Sequence, residues 1–266
     1  MPDDTEQNAA VNARDFSHVD AAAEPERFIV LLEEVELLPW LQGMRLDSFE
    51  RLGLGPGQRM IEVGCGPGTA VRMLRERGID ASRATIEHAR RSVPEAEFCQ
   101  ALAAELPLLD RSQDGYRAER VYEHVHDPPK ALREAKRVPG PGGRIVLLDR
   151  DYDLLAVDSQ QPALAGRMRQ ALAETVAYPL VGRRFLSLPL DAGFRDVRVT
   201  VTTHVLTDLA AAQPLLSTAA RAGDEAGKVG GEEARAWLRE QRERAARGAR
   251  GALCVIVPMF LASAVA

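Results

Sequence analysis

The sequence predicts an α/β fold built on a doubly wound, mostly parallel β-sheet with helices on both faces. Three observations support this prediction. Short apolar strands alternate with amphipathic helices between residues 59 and 149, which is the pattern of parallel α/β sheets. A loop containing three glycines follows the first of these strands directly. Two late strand-like segments, the β-branched Arg195–Leu206 and the apolar Leu253–Ala262, are separated by helical stretches and predict an antiparallel addition to one edge of the sheet.

Each element has its own signal in chain order. From Glu24 to Leu52 apolar residues recur at helical spacing, with a break near Pro39, so one or two helices are expected to form a cap ahead of the sheet. Strands are predicted at Arg59–Val63, Glu95–Cys99, Gly115–Arg120, Arg144–Asp149, Arg195–Leu206 and Leu253–Ala262. Helices are predicted at Thr69–Arg77, Ser82–Ser92, Pro128–Val138, Pro162–Ala177, Asp208–Ala222 and Glu232–Ala246.

Composition argues against several classes of protein. The 266 residues are 45% hydrophobic and 27% charged, which is enough apolar material for a full core. The net charge of −5, without a cationic block, argues against nucleic-acid binding. Three widely spaced cysteines indicate buried or free thiols in a reducing cytoplasm. The N-terminus is acidic, and the uncharged stretch Gly251–Ala266 has 16 residues, short of the ~20 that span a bilayer. We therefore expect a cytoplasmic protein with no membrane or nucleic-acid partner.

The most informative segment is the loop Gly64-Cys65-Gly66-Pro67-Gly68, which joins the first strand to a helix. Glycine lets the backbone turn sharply and lets a ligand approach without a Cβ in the way. Glu62 places a carboxylate beside this turn, which favours a cationic or hydroxyl-rich ligand. Thr69 stands where a dinucleotide-binding fingerprint has its third glycine. This difference weighs against a third hypothesis, a nicotinamide-dependent oxidoreductase, which is less favoured than the two functions discussed below.

With these motifs the chain resembles the class I S-adenosylmethionine-dependent methyltransferases, in particular bacterial enzymes that act on small molecules. IEVGCGPG resembles the first motif of that family and GIDAS the second. ELP resembles the loop after the third strand, AERVYEHVHDPPKALREAKRV the fourth strand and its helix, and PGPGGRIVLLD the fifth strand. The resemblance is close over residues 59–150. It implies a Rossmann-like sheet of seven strands, S-adenosylmethionine as cofactor and S-adenosylhomocysteine as product.

The resemblance also implies a division of the chain into three parts. Residues 1–55 would form the N-terminal helical cap. Residues 56–153 would form the cofactor-binding methyltransferase core. Residues 154–266 would complete the core and add helical insertions on the substrate side.

Individual roles follow from the resemblance. The three glycines of the loop, with Cys65 between them, would surround the methionine part of the cofactor. Glu62 would hold its amino group, and Asp80 would accept hydrogen bonds from both ribose hydroxyls. Ala118 and Glu119 would line the methionine end.

Two positions depart from the family pattern. Asp80 follows Gly68 by only 12 residues, fewer than the ~20 typical of related units, so either the second strand is short or part of the natural chain is absent. Leu102 stands where the family usually has an acid that binds the adenine amino group. Apolar contact with the ring, or a backbone contact near Ala103, would have to replace it.

His124 and Tyr152 are the candidate catalytic residues. His124 follows the fourth strand, where an imidazole could take a proton from an acceptor hydroxyl or amine. It could instead fix the loop before Pro128. The HxHD pattern that continues to Asp127 has no further Cys/His cluster nearby, so no metal site is predicted. Tyr152 could face the substrate or pack in the core.

The sequence thus predicts methyl transfer from S-adenosylmethionine to a small molecule, with oxygen or nitrogen favoured as the acceptor atom. The alternative is a methyltransferase-like binding or scaffold protein without turnover, as the two departures would allow. A homodimer is possible, because the apolar C-terminal strand could pair at an interface.

Overall fold

The structure is a computed structural model that describes residues 19–21, 25–53, 55–74, 77–248 and 253–266. The described residues form a sheet of eight strands. They are β1 (Met60–Val63), β2 (Arg77–Asp80), β3 (Glu97–Gln100), β4 (Gln113–Glu119), β5 (Pro139–Arg150), β6 (Ala156–Val157), β7 (Arg195–Leu206) and β8 (Val255–Val265). Their order is β3-β2-β1-β4-β5-β8, and β7 pairs with β8. The predicted fold class is confirmed. The count exceeds seven because the two-residue β6 also pairs with β8.

The first five strands form the parallel part of the sheet. β1 pairs with β2 and β4, β2 pairs with β3, and β4 pairs with β5, all in parallel. The carboxyl ends of these strands therefore meet at one edge. β2 has only four residues and follows the six-residue helix α3 (Thr69–Leu74), which accounts for the short spacing from Gly68 to Asp80. The second strand is thus present and short.

The last long strands form the antiparallel edge. β8 pairs with β5 from Arg144↔Val265 to Arg150↔Met259, and with β7 from Arg195↔Val265 to Leu206↔Val255. Because both edges of β8 are paired within the chain, the expectation that this strand pairs with a second copy is wrong. The homodimer stays a prediction without that support.

Helices cover both faces of the sheet. They are α1 (Pro25–Glu36), α2 (Pro39–Leu52), α3, α4 (Arg83–Ser92), α5 (Pro128–Arg137), α6 (Pro162–Ala173), α7 (Val181–Arg184), α8 (Ser187–Asp191), α9 (Leu209–Glu225) and α10 (Gly231–Ala246). Ser82, Asp127 and Asp208 cap α4, α5 and α9 by accepting from backbone N–H groups, as short polar side chains do at helix starts.

Two hydrophobic clusters hold these layers together. On one face, Trp237 of α10 and Met168 of α6 pack in one cluster with Leu148 of β5. On the other face, Leu132 of α5 packs with Ile145 of the same strand. Neighbouring residues of β5 thus point to opposite faces, as the pleat of a strand requires.

The two N-terminal helices lie where a cap was predicted, although residues 1–18 and 22–24 of that segment lie outside the described residues. α2 buries Met44 and Leu52 in the same cluster as Leu148, so it belongs to the layer that covers the sheet. α1 instead contacts α2 and α4. The division at residues 55 and 153 stays a prediction. In the described parts of the chain, no helix is long and apolar enough to cross a membrane.

Candidate cofactor and substrate site

A cavity of about 850 Å³ lies at the carboxyl ends of β1, β2, β4 and β5. The strand order reverses between β1 and β4, and ligands of open α/β sheets bind at such a switch point. Residues of α1 and α2 line one side of the cavity, and residues of α6 and α9 line another. Its volume lies within the range of small-molecule and cofactor pockets.

The glycine loop forms one wall of this cavity. Gly64 has φ +68° and packs so closely that a Cβ there would lie 2.2 Å from Val121 Cγ2. Gly66 has φ +53°, and a Cβ there would lie 3.3 Å from Glu36 Oε1. Both positions therefore favour glycine for conformation, and Gly64 also requires it for space. Cys65 lies between these two glycines. Burial raises the pKa of its thiol well above the ordinary value, so this cysteine stays neutral.

Two of the residues assigned to the cofactor lie behind the cavity wall. Gly68 packs against Phe98 and Val93: a Cβ built on it would lie 3.3 Å from a side-chain atom of each. Ala118 is buried in the hydrophobic cluster beneath the site. These residues support the loop and β4 from behind.

Asp80 ends β2 and lies in the cavity wall. Its Oδ2 accepts from the Gly66 N–H at 3.0 Å, and its Oδ1 accepts from the Ser82 N–H at 2.9 Å. Burial raises the pKa of the carboxyl above its ordinary value, although these two backbone donors oppose the rise. Each oxygen has a further lone pair with which to accept from a ligand hydroxyl.

Sequence reasoning missed Asp20, which also lines this part of the cavity. Its carboxylate accepts from Ser82 Oγ at 2.7 Å and from the N–H groups of Arg83 and Ala84 at 2.9 and 3.0 Å. Burial opposes a lowered pKa, but these donors prevail and lower the pKa of Asp20. The N-terminal segment is thereby joined to the start of α4. The local sequence around Asp20 carries no motif that could have revealed it.

Leu102 and Ala103 line the cavity after β3. Leu102 is 57% exposed, so its side chain offers apolar surface to the cavity. The loop is held by the Ala101 N–H, which donates to Asp80 O at 2.9 Å, and by the Glu105 N–H, which donates to Leu102 O at 3.0 Å. An apolar surface therefore stands where the family usually has a carboxylate.

A network of charged side chains, which we call the buried ion network, lies between α2 and the ends of β1 and β4. Its members are Glu36, Arg45, Glu62, Arg117, Glu119 and Arg120. Arg117 is fully buried and donates to Glu62 Oε1 at 2.5 Å, to Ser48 Oγ at 2.7 Å and to Glu119. Arg45 holds the same Glu119 carboxylate with two hydrogen bonds of 2.9 and 3.0 Å.

Position within this network sets the pKa values of its carboxyl groups. Burial raises the pKa of Glu62 even though Arg117 opposes the rise. Burial also acts to raise the pKa of Glu119, but the guanidiniums of Arg117 and Arg45 prevail and hold it far below its ordinary value. Glu119 is thus a firmly ionised structural partner. Glu62 keeps an oxygen, Oε2, that is buried and has no hydrogen-bond partner.

A second polar cluster lies beside β4 and β5 and contains both predicted catalytic residues. His124 Nε2 lies 3.4 Å from Glu123 Oε1, and Arg150 Nε lies 3.2 Å from Glu123 Oε2. Burial acts to raise the pKa of Glu123, but Arg150 and His124 lower it below its ordinary value. The neighbouring Asp149 has its pKa raised by burial and by the charge of Glu123, so the proton of this carboxyl pair stays on Asp149. His124 and Glu123 both line the cavity.

Tyr152 also lines the cavity, and its ring lies 5.4 Å from Arg150 Cζ. Burial raises the pKa of its phenol well above the ordinary value. The hydroxyl therefore stays protonated, so Tyr152 is suited to donating a hydrogen bond and unsuited to accepting a proton.

A further part of the cavity wall is mostly apolar, although Thr175 and Thr218 also line it. Its side chains come from α1, α2, α6, α9, β7 and β8 and the segments next to them. They include Leu38, Trp40, Leu41, Leu172, Val176, Leu206, Pro214, Leu215 and Val257. We call this part the apolar lobe. Among the described residues, no group of three or more His, Cys, Asp or Glu side chains is arranged to hold a metal ion.

Comparisons with known proteins agree with this geometry. Residues 61–147 match the methyltransferase domain family. An uncharacterized 37.1 kDa protein in transposon Tn4556 of Streptomyces fradiae is 33% identical over 223 residues, which are 79% of this chain and 64% of that protein. An O-methyltransferase of Pyrenophora dematioidea is 31% identical over 184 residues, which are 60% of this chain and 67% of that enzyme. The chain thus spans about two thirds of the length of these relatives.

Among solved structures, phosphoethanolamine N-methyltransferase 2 of Haemonchus contortus, in complex with S-adenosyl-L-methionine, has a TM-score of 0.59. It is 17% identical, and the match covers 96% of this chain and 60% of that one. At this identity the likeness shows the shared fold alone. The sequence relatives show the family as well as the fold. Together with the sheet order and the glycine loop, they establish that the chain belongs to the S-adenosylmethionine-dependent methyltransferases.

Proposed function

We propose that the protein transfers a methyl group from S-adenosylmethionine to a small apolar acceptor through an oxygen or nitrogen atom. The observation that carries this proposal is the division of the cavity. Its glycine-loop end has charged and hydrogen-bonding groups suited to the cofactor, whereas its other end is the apolar lobe. His124 and Glu123 lie in the wall of the same cavity.

The residues at the glycine-loop end fit the proposed cofactor. Asp80 would accept hydrogen bonds from the ribose hydroxyls with lone pairs that its backbone donors leave free. Leu102 and Ala103 would contact the adenine ring. Glu62 Oε2 is buried and unpartnered, and a buried carboxylate oxygen in this state favours a cationic partner such as an ammonium group.

The cofactor, when bound, supplies a methyl group on a positively charged sulfur, and the protein aligns the acceptor and removes water. His124 would take the proton that an oxygen or nitrogen acceptor loses, since imidazole is the side chain best suited to this task near neutral pH. Glu123 lies 3.4 Å from His124 Nε2 and would orient the ring. Tyr152, which lines the same cavity, would contact the acceptor.

The apolar lobe supports an acceptor with an uncharged body. Burying Leu172, Val176 or Leu215 against such a body is favourable, at about 25 cal/mol for each Å² removed from water. A phosphate or sulfate group there would lose its hydration and gain no cationic partner among the lobe residues named above. The O-methyltransferase of Pyrenophora dematioidea, one of the relatives, supports oxygen as the acceptor atom.

One observation favours the alternative function, a binding or scaffold protein without turnover. Leu102 removes the acidic contact to adenine that the family usually has. This protein would bind S-adenosylmethionine and S-adenosylhomocysteine with similar affinity but would release no methylated product from any acceptor.

Calorimetric titration with S-adenosylhomocysteine tests the cofactor assignment. We expect micromolar binding that Asp80→Asn weakens at least tenfold, because a ribose hydroxyl loses a charged acceptor. Asp110→Asn is the matched control, since Asp110 forms an exposed ion pair with Arg137. Equal affinities of the Asp80 and Asp110 variants would contradict the assignment.

Turnover is tested by incubating the protein with S-adenosylmethionine and pools of apolar hydroxylated or amino compounds, followed by mass spectrometry. We expect a methylated product whose formation His124→Asn slows about 100-fold or more while S-adenosylhomocysteine affinity is retained. Cofactor binding without product from any pool would favour the scaffold function.

A further inference from the structure

A second cavity, of about 200 Å³, lies beside the apolar lobe, between β6 and the helices α6, α9 and α10. Leu172 of α6 and Leu215 of α9 line both this second cavity and the apolar lobe. These two leucines therefore form a shared wall between the two spaces. Because α6 and α9 pack against each other, the wall lies at the seam between two helices.

The volume of the second cavity is large for a space within a packed layer of helices. Protein interiors contain few voids larger than a water molecule, and a void lowers stability in proportion to its volume. An apolar cavity of about 150 Å³ is already large enough to bind benzene. The second cavity exceeds that volume. It can therefore hold a part of a small-molecule ligand.

The lining of the second cavity favours an uncharged occupant. Met168, Leu216 and Trp237 supply buried apolar surface, and the unbranched side chain of methionine adapts to the shape of what it contacts. Among the described residues that line this cavity, only Arg169 is charged, and its guanidinium pairs with Asp153 at 2.7 Å. A charged group placed there would lose its hydration without meeting an unpaired opposite charge.

A glycine within α6 contributes to this space. Gly166 lines the second cavity, and no atom lies within 4 Å of where its Cβ would be. Its backbone is helical, a conformation that any residue adopts, and glycine destabilises a helix interior relative to alanine. The missing side chain thus serves neither the backbone nor close packing, but it enlarges the second cavity.

The buried end of the second cavity has unpaired polar groups. Trp237 is 1% exposed, and its Nε1 has no hydrogen-bond partner among the described residues. Gln241 lies one turn further along α10 and is fully buried, and neither polar atom of its amide has a partner in this part of the chain. Buried polar groups in native cores are nearly always paired. This region is therefore not packed as an ordinary core is.

The shared wall is of a kind that can open. Leu215 is only half-buried, and separating two leucine side chains breaks no hydrogen bond. Pro214 precedes it within α9 and has no N–H to donate to the carbonyl four residues earlier, so the helix lacks one of its hydrogen bonds at this point. A change of rotamer at Leu215 and a small movement of α9 would join the two cavities.

We infer that the second cavity is a subsite for the far end of an elongated, uncharged acceptor. The reactive oxygen or nitrogen of this acceptor lies in the main cavity, and its hydrocarbon chain passes between Leu172 and Leu215. The second cavity reaches the surface at Ala156 and Pro162, which are exposed, so a longer chain can emerge there. This inference rests on the proposed function, because the molecule concerned is the acceptor of the proposed reaction.

An isolated space that takes any small apolar molecule, or none, is the competing explanation. The two tryptophans of the chain separate the two explanations, because Trp40 lines the apolar lobe and Trp237 lines the second cavity. Bromine quenches indole fluorescence on contact. The probes are bromobutanol and bromodecanol, each with bromine at the end opposite the hydroxyl. Trp40→Phe and Trp237→Phe assign the emission to one indole at a time.

The experiment measures quenching and, by calorimetry, the affinity for both alcohols, using the full chain with S-adenosylhomocysteine present. Gly166→Leu places a side chain at the second cavity where there is room for its Cβ. Gly43→Leu is the matched control, because Gly43 is an exposed glycine of α2 that also has no atom within 4 Å of a Cβ. Thermal unfolding of each variant accompanies the titrations.

We expect bromodecanol to quench Trp237 in the unchanged chain and in Gly43→Leu but not in Gly166→Leu. The affinity of Gly166→Leu for bromodecanol should fall about fivefold or more, because the buried length of the chain is shorter, whereas that for bromobutanol should change less than about twofold. Bromobutanol should leave Trp237 unquenched in every protein.

Three results would overturn the inference: no quenching of Trp237 by bromodecanol, equal quenching of Trp237 by bromobutanol, or equal loss of affinity for both alcohols in Gly166→Leu. Failure of the proposed function would appear separately, as the failure of S-adenosylhomocysteine to bind the unchanged chain.

Discussion

Arg117 in β4 donates a hydrogen bond of 2.5 Å to Glu62 Oε1 in β1, and the other oxygen of the same carboxylate is left without a partner. Both side chains are fully buried, and Arg117 Cζ lies 4.8 Å from the centre of the Phe49 ring. The arginine thus fixes the rotamer of the glutamate through one oxygen. Glu62 itself lines the cavity beside the glycine loop.

Removing Arg117 should lower the free energy of unfolding more than breaking an exposed ion pair does. Arg117→Met leaves Glu62 and Glu119 buried with fewer partners, so we expect the free energy of unfolding to fall by about 3–5 kcal/mol. Arg77→Met, which breaks the exposed pair with Glu97, should cost at most about 1 kcal/mol. Urea unfolding measures both. Adding Glu62→Gln to Arg117→Met should recover part of the loss, and a further decrease in stability would contradict this account.

Gly64 and Gly57 form a natural comparison for the glycine loop. Both have positive φ, +68° and +83°, but only Gly64 has a neighbour, Val121, in the way of a Cβ. Gly57→Ala should lower the free energy of unfolding by about 1 kcal/mol through backbone strain alone. Gly64→Ala should lower the free energy of unfolding at least twice as much. It should also weaken the binding of S-adenosylhomocysteine severalfold.

Chemical denaturation and calorimetry measure the two effects. The double variant Gly64→Ala/Val121→Ala removes the clash but keeps the strain, so its stability should return toward that of Gly57→Ala. If Gly64→Ala and Gly57→Ala were equally stable, close packing against Val121 would not matter.

The alternation of strands and helices was enough to predict most of the sheet, its antiparallel edge and the glycine loop, because these are encoded locally. It did not predict β2, whose first residue, Arg77, was placed at the end of the preceding helix. The buried ion network was not predictable in the same way. Glu36 and Arg45 are far in sequence from Arg117 and Glu119, and their meeting depends on how the cap packs. One signal was available: Arg117 and Glu119 are charged residues within a segment that otherwise predicts a buried strand, and such charges need partners.

The expected pairing of the C-terminal strand with a second copy failed for a related reason. An apolar C-terminal strand predicts burial, but the pattern does not say what covers it. In the fold, β8 is covered by β5 and β7 of its own chain. Whether a strand is central or at an edge depends on the order of strands, which pairing far along the chain decides.

Glu119 should make stability depend on pH in the acidic range. Its pKa is held far below the ordinary value of 4.5, because Arg117 and Arg45 outweigh burial. The unfolded chain therefore takes up this proton first as the pH falls. The stabilisation from Glu119 is fully present above pH 4.5 and is lost progressively below it.

Glu119→Gln should accordingly be less stable than the unchanged chain at neutral pH, with the difference narrowing as the pH falls below 4.5. Urea unfolding of the two proteins between pH 7 and about pH 3.5 measures this difference. Parallel stability curves over that range would show that Glu119 is not the ionised partner that the network requires.

Leu102 offers a test by gain of function. Its side chain is 57% exposed and borders the cavity, so Leu102→Asp places a carboxylate in contact with water and buries no charge. If the adenine amino group lies beside it, the new hydrogen bond should strengthen S-adenosylhomocysteine binding by about 2–10-fold, the net worth of one hydrogen bond. Leu109→Asp, at a position 81% exposed, controls for the added negative charge. The gain should vanish with S-inosylhomocysteine, in which an oxygen replaces the amino group of the adenine ring. An equal gain with both ligands would place the adenine elsewhere in the cavity.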